Sequence, residues 1–137
     1  MAIARDETML PSAQILIVED EALIAYDLAR RLRRFGYRVV GVVATGPEAI
    51  EKAVTLRPDV VLMDIRLRGE MDGIEAAQSI QARAPIPVVY MSAFTDPATL
   101  ARTTRTHAAG YLRKPFQNDK LQQALHQALM QQPLEGP

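Results

Sequence analysis

The sequence predicts an α/β fold: a doubly wound, five-stranded parallel sheet with five helices covering both of its faces. Three observations carry that prediction. Short apolar runs recur five times without polar alternation, as suits strands buried on both faces. Each run is followed by a stretch with helical periodicity. Cap and turn residues separate the two patterns.

The strand-like runs fall at 15–18, 39–43, 60–63, 88–91 and 111–112. The first helix, from Glu21, places Ile24, Leu28, Leu32 and Phe35 on one face and stops at Gly36. The second opens with Thr45-Gly-Pro-Glu48, a capping-box pattern with proline in the first turn, and ends before Pro58. Asp72-Gly-Ile-Glu75 opens the third, and the fourth is expected near Thr95-Asp-Pro97. The fifth carries Leu121, Leu125, Ala128 and Leu129. Residues 1–13 mix charge, Thr, Pro and Ser without periodicity and are expected to form a flexible leader. The folded domain is expected over 14–131, with a loose tail at 132–137.

Composition narrows the function. The 16 basic and 16 acidic side chains give no net charge, which argues against nucleic acid as a direct ligand. Without cysteine there is no disulfide, thiolate metal site or thiol nucleophile, in keeping with a cytoplasmic location. No apolar stretch has the length of a membrane span, so membrane insertion is not expected. The only Arg-rich patch, Arg30, Arg31, Arg33 and Arg34, reads as the solvated face of an amphipathic helix.

In parallel sheets of this kind, functional residues gather at the carboxyl ends of the strands. Here the first strand ends in Glu19-Asp20 and the third in Asp64. The fourth ends in Ser92, and Lys114 follows the fifth. Carboxylates about 5 Å apart repel by roughly 3 kcal/mol at an effective dielectric of about 20. Such a cluster needs a cation, a proton or full solvation. Three oxygen donors without His or Cys match a hard cation such as Mg²⁺. A hydroxyl and a mobile ammonium beside a carboxylate suit phosphoryl chemistry, with the carboxylate as nucleophile towards phosphorus.

The stretches ILIVEDE, VVLMDIRL, MDGIEAA, MSA and GYLRKPF, in this order and spacing, resemble a response-regulator receiver domain of two-component signalling. The resemblance covers about 14–130 and implies a flavodoxin-like sheet in strand order 2-1-3-4-5. It implies that Asp64 accepts a phosphoryl group from a histidine kinase or histidine phosphotransfer protein. Asp20 and Asp64 would hold Mg²⁺ directly, Arg66 through its backbone carbonyl, and Glu19 through water. Ser92 and Lys114 would bind the phosphoryl oxygens. Tyr111 takes the aromatic switch position, paired in action with Ser92. The Lys114–Pro115 bond is expected to be cis. Bulk at Arg66 and Phe94 would limit access of the hydrolytic water.

The resemblance further implies a signalling module that takes part in its own phosphorylation and dephosphorylation, rather than a turnover enzyme. Its output would be a changed surface formed by the fourth helix, fifth strand and fifth helix, open to an output partner or to a second copy. Leu23, Tyr26 and Arg30 are expected on the face that docks the phosphodonor. The chain is expected to be a stand-alone regulator or a fragment of a larger protein. Two departures from the family pattern stand out. Glu19 replaces the commoner Asp, and the loop RLRGEMDG is one residue longer than the usual Met-Pro turn.

Two other classes fit less well. Phosphatases of the haloacid-dehalogenase type resemble Asp-x-Asp, but here the second position is Arg66, which cannot donate a proton in water. Nucleotide binding lacks its Gly-rich fingerprints. An interaction module of the same fold, silent to phosphorylation, is the remaining alternative.

Overall fold

A computed structural model describes residues 12–93 and 96–131. The strands are β1 (Gln14–Val18), β2 (Arg38–Val43), β3 (Val60–Asp64), β4 (Val88–Ser92) and β5 (Ala108–Arg113). Alternating with them are α1 (Ala22–Arg34), α2 (Gly46–Leu56), α3 (Gly73–Gln81), α4 (Pro97–Thr103) and α5 (Asn118–Met130). All strand pairs are parallel, in the order β2-β1-β3-β4-β5. Most of the expected leader and the whole expected tail lie outside the described residues, as do Phe94 and Thr95.

Because successive strand residues face opposite ways, the sheet feeds two cores. Ile15, Ile17, Val60, Leu62, Val89 and Met91 pack with Leu28 and Leu32 of α1 and Leu121 and Leu125 of α5. Leu16, Val18, Val61, Met63, Val88 and Tyr90 pack with Ala49 and Ala53 of α2 and Ile74, Ala77 and Ile80 of α3. The three inner strands are buried on both faces, whereas β2 and β5 are edge strands and only partly covered.

The caps largely follow the sequence. Asp72 and Glu75 form a reciprocal capping box on α3. At α2 the Thr45 hydroxyl accepts from Glu48 N–H, but the Glu48 carboxylate accepts from Ala44 rather than from Thr45. The fourth helix is capped by Asp96, whose carboxylate accepts from Thr99 N–H. Strand β5 is longer than Tyr111 and Leu112 suggest, starting at Ala108. Its Ala-Ala-Gly opening has weak strand propensity, and the ladder with β4 draws it in.

Candidate functional site

The carboxyl ends of β1, β3 and β4 and the segment after β5 meet at one rim, around a cavity of about 260 Å³. Asp20, Asp64, Arg66, Ser92 and Lys114 line it, with Glu21 and Ala93. Sheet register does the positioning. Asp64 stands beside Met91, and the Lys114 amide donates to the Ser92 carbonyl at 2.8 Å. Four distant parts of the sequence thus deliver their polar groups to one place.

Asp64 is held from two sides. Its Oδ1 accepts from the Arg66 amide at 3.1 Å and its Oδ2 from Lys114 Nζ at 2.8 Å. Beneath it Gly73 is required: a Cβ there would lie 2.1 Å from the Asp64 carbonyl oxygen. The Gly73 amide also donates to the Ile65 carbonyl, closing the loop that begins at Asp64.

Glu19 is the deepest acid, with its side chain fully out of solvent. It accepts from Lys114 Nζ at 2.7 Å and from the Glu21 amide at 3.1 Å. The extra methylene relative to Asp therefore reaches the lysine itself, a contact not foreseen from the sequence. Burial pushes the Glu19 carboxyl up to about 7; the Lys114 bond opposes that rise, and the neighbouring Asp64 charge adds to it. Burial also works against the Lys114 ammonium, but bonds to Asp64 and Glu19 outweigh it and hold its pKa above the usual lysine range. With one cation between two carboxylates, the Lys114 ammonium stays charged.

Carboxylate oxygens of Glu19, Asp20 and Asp64 lie within 4.8 Å of one another. This all-oxygen set, open to water on the Asp20 side, fits a hard divalent cation such as Mg²⁺. Arg68 Nε stands 3.9 Å from Asp20 Oδ2 but is largely exposed and readily displaced. The long loop that carries Arg68 does not float free. Arg68 bridges to Thr45 beside β2, and Met71 covers Gly46 so closely that a Cβ there would meet its sulfur at 2.6 Å.

Tyr111 sits on β5 beside this rim and is about half exposed. Its hydroxyl is not in free solvent: it pairs with Thr103 Oγ1 of α4 at 2.5 Å. The Lys114–Pro115 peptide is cis. Leu23 and Tyr26 stand out from α1 as strongly exposed apolar groups, with Arg30 half exposed beside them. Among the residues that sequence reading overlooked are Tyr90, Thr103 and Arg102. Tyr90 was detectable as the polar tip inside the otherwise apolar run at 88–91. Arg102 pairs with Asp72 at 2.8 Å across two helices, which no local pattern announces.

Known proteins resemble this chain in sequence and in fold. The sequence matches the family described as "Response regulator receiver domain" over residues 15–126. The transcriptional regulatory protein PdtaR of Mycobacterium tuberculosis is 40% identical over 116 residues, which cover 85% of this chain and 56% of that protein. This chain thus spans little more than half the length of that relative. The chemotaxis protein CheY of Thermotoga maritima is 34% identical over 82% of this chain and 94% of its own. Among solved structures, the receiver domain of a sensor histidine kinase from Pseudomonas aeruginosa PAO1 superposes with a TM-score of 0.79. It is 31% identical, and the match covers 88% of this chain and 99% of that one; its structure has a magnesium ion coordinated in the active-site cleft.

Proposed function

This chain belongs to the response-regulator receiver family, and on that premise we propose that Asp64 accepts a phosphoryl group from the phosphohistidine of a histidine kinase or histidine phosphotransfer protein. A carboxylate oxygen of Asp64 attacks phosphorus, the phosphorus–nitrogen bond breaks, and the imidazole leaves with the electron pair. The Arg66 amide and the Lys114 ammonium fix the plane of the Asp64 carboxylate for that attack. Lys114 then follows the transferred group as a point charge on its oxygens, and Ser92 offers a hydroxyl from the neighbouring strand end. Mg²⁺ would be held by Asp20, Asp64 and the Arg66 carbonyl, with Glu19 behind them; bound there, it would offset the negative charge of the phosphoryl oxygens. Later hydrolysis of the acyl phosphate returns the carboxylate.

The single observation that carries this reading is the position of Asp64, between the Lys114 ammonium and the Asp20 carboxylate at the mouth of one cavity. Leu23, Tyr26 and Arg30 would form part of the docking face for the phosphodonor. Output would pass through a change in α4, β5 and α5, with Ser92 and Tyr111 as the moving parts, to a downstream protein or a second copy, in the cytoplasm.

The test is labelling by acetyl phosphate with Mg²⁺. The parent is expected to form a base-labile acyl phosphate, and Asp64→Asn to form none while keeping its fold. Equal labelling of the two would overturn the assignment. Asp20→Ala is expected to raise the Mg²⁺ needed for half-maximal labelling at least about tenfold, as the loss of one direct ligand implies.

A further inference from the structure

The Lys114 ammonium is placed at its tip by Glu19 and Asp64, and its backbone is anchored on one side by the Ser92 carbonyl. The other side of the segment needs an anchor as well. A short stretch, Pro115 to Gln117, is all that separates Lys114 from the start of α5, and the Gln117 side chain makes no cap there.

The anchor comes from α1. Arg31 Nη2 donates to the Phe116 carbonyl at 2.8 Å, and Arg31 Nε donates to Asn118 Oδ1 at 2.7 Å. The guanidinium also lies over the Phe116 ring, its Cζ 5.2 Å from the centroid. Asp27, one turn back on α1, stands 3.8 Å from Arg31 Nη1 and keeps the fork aimed. Phe116 itself packs against the core beneath α1 and α5. Arg31 is mostly buried, unlike its neighbour Arg30. So one member of the Arg-rich patch is not part of a solvated face, and the sequence reading of it is corrected there.

We propose that Arg31 is a positioning residue for phosphoryl transfer: it clamps the segment 116–118 to α1 and thereby holds Lys114 over Asp64. The inference rests on the phosphoacceptor reading above. The planar fork is what the role needs. One guanidinium donates in two directions and stacks on a ring at once, which an ammonium on a flexible stem cannot do. Misplacement of a charge-stabilising group by about 1 Å can cost on the order of a hundredfold in rate. Arg31 touches no reacting atom, so its effect must pass through Lys114.

The experiment measures acetyl phosphate labelling of the full chain in the parent and in Arg31→Ala, Arg31→Lys, Lys114→Ala and the Arg31→Ala/Lys114→Ala pair, with circular dichroism on each. Arg31→Ala is expected to lower the labelling rate at saturating donor about tenfold or more, without raising the Mg²⁺ needed for half-maximal labelling, since Arg31 meets none of the acids in the cavity. Arg31→Lys is expected to recover little of the loss. In the Lys114→Ala background, adding Arg31→Ala should change the rate less than about twofold, because the two then act as one unit. A parental rate in Arg31→Ala overturns the proposal, and so does an undiminished loss in the Lys114→Ala background. If Arg31→Ala loses helix content, Asn118→Ala removes one acceptor from an exposed position, and it should slow labelling in the same Lys114-dependent way. Parental kinetics in that variant would count against the clamp. A folded parent that labels no better than Asp64→Asn would instead overturn the phosphoacceptor reading, and the inference with it.

Discussion

Tyr90 and Tyr111 stand opposite each other in register on β4 and β5, with ring centroids 5.9 Å apart and planes inclined by 25°. Tyr90 is fully buried and Tyr111 half exposed, and each reaches a threonine near the end of α4. Thr103 gives its own proton to the Leu100 carbonyl, so the Tyr111 hydroxyl donates to Thr103 Oγ1. By the same logic Thr106 donates to the Thr103 carbonyl, and Tyr90 donates to Thr106 Oγ1 at 2.8 Å. Both rings are thereby tied to α4 by a chain of hydroxyl groups.

Under the proposed switch, that tie is a restraint on Tyr111. Thr103→Val keeps the side-chain shape and removes the acceptor. It is expected to shift the Tyr111 ring resonances, without any phosphoryl mimic, towards the positions seen in the parent with beryllofluoride. A tenfold change in the balance of two states needs about 1.4 kcal/mol, within the range of one lost hydrogen bond. Resonances identical to those of the unliganded parent would show that Thr103 does not restrain Tyr111.

Burial pushes the Tyr90 hydroxyl up to about 12, although its bond to Thr106 opposes the rise. Because the folded pKa lies above the ordinary value of 10, the stabilisation is complete below pH 10 and lost as pH rises towards 12. Absorbance at 295 nm is expected to show one tyrosinate forming near pH 12 or only on unfolding. Its absence in Tyr90→Phe would assign it, and a parent in which every tyrosine titrates near 10 would contradict the burial argument.

Asp72 caps α3 and pairs with Arg102 of α4. Partial burial works against its charge, but the Arg102 and Glu75 hydrogen bonds prevail and hold the pKa below the usual carboxylate range. A lowered folded pKa means stabilisation that is present above the ordinary aspartate pKa and lost as pH falls through the folded one. Asp72→Ala is expected to cost about 1 kcal/mol at pH 7. The cost should shrink in acid; urea unfolding at pH 7 and near pH 2.5 would measure both, and an equal cost at the two would refute it.

Gly73 has no room for a methyl group against the Asp64 carbonyl. Gly73→Ala is expected to destabilise the fold by about 1–3 kcal/mol. It should also slow labelling at Asp64 in the protein that remains folded, since the loop must shift at its first residue. Parental stability and kinetics would show that the loop yields freely.

Much of this protein was determined by its sequence alone. The apolar runs of β1, β3 and β4 could only be strands covered on both faces, and the sheet then had to present Glu19, Asp20, Asp64 and Ser92 at one edge. Their meeting at one rim was legible because each stands at the end of such a run. Caps such as Asp72 with Glu75 were legible for the same reason: their partners lie three residues apart. Tertiary structure decided the rest. That Glu19 spends its extra methylene on Lys114 depends on a contact across 95 residues. That Arg31 leaves the solvated face, while Arg30 beside it stays there, depends on where Phe116 and Asn118 arrive from the far end of the chain. The start of β5 was hidden because Ala108, Ala109 and Gly110 carry almost no intrinsic preference for a strand, and only the β4 ladder supplies one. Local patterning fixes which groups reach the rim, because periodicity and caps act over a few residues. Which of them touch is settled by packing between elements distant in sequence, and so no local pattern records it.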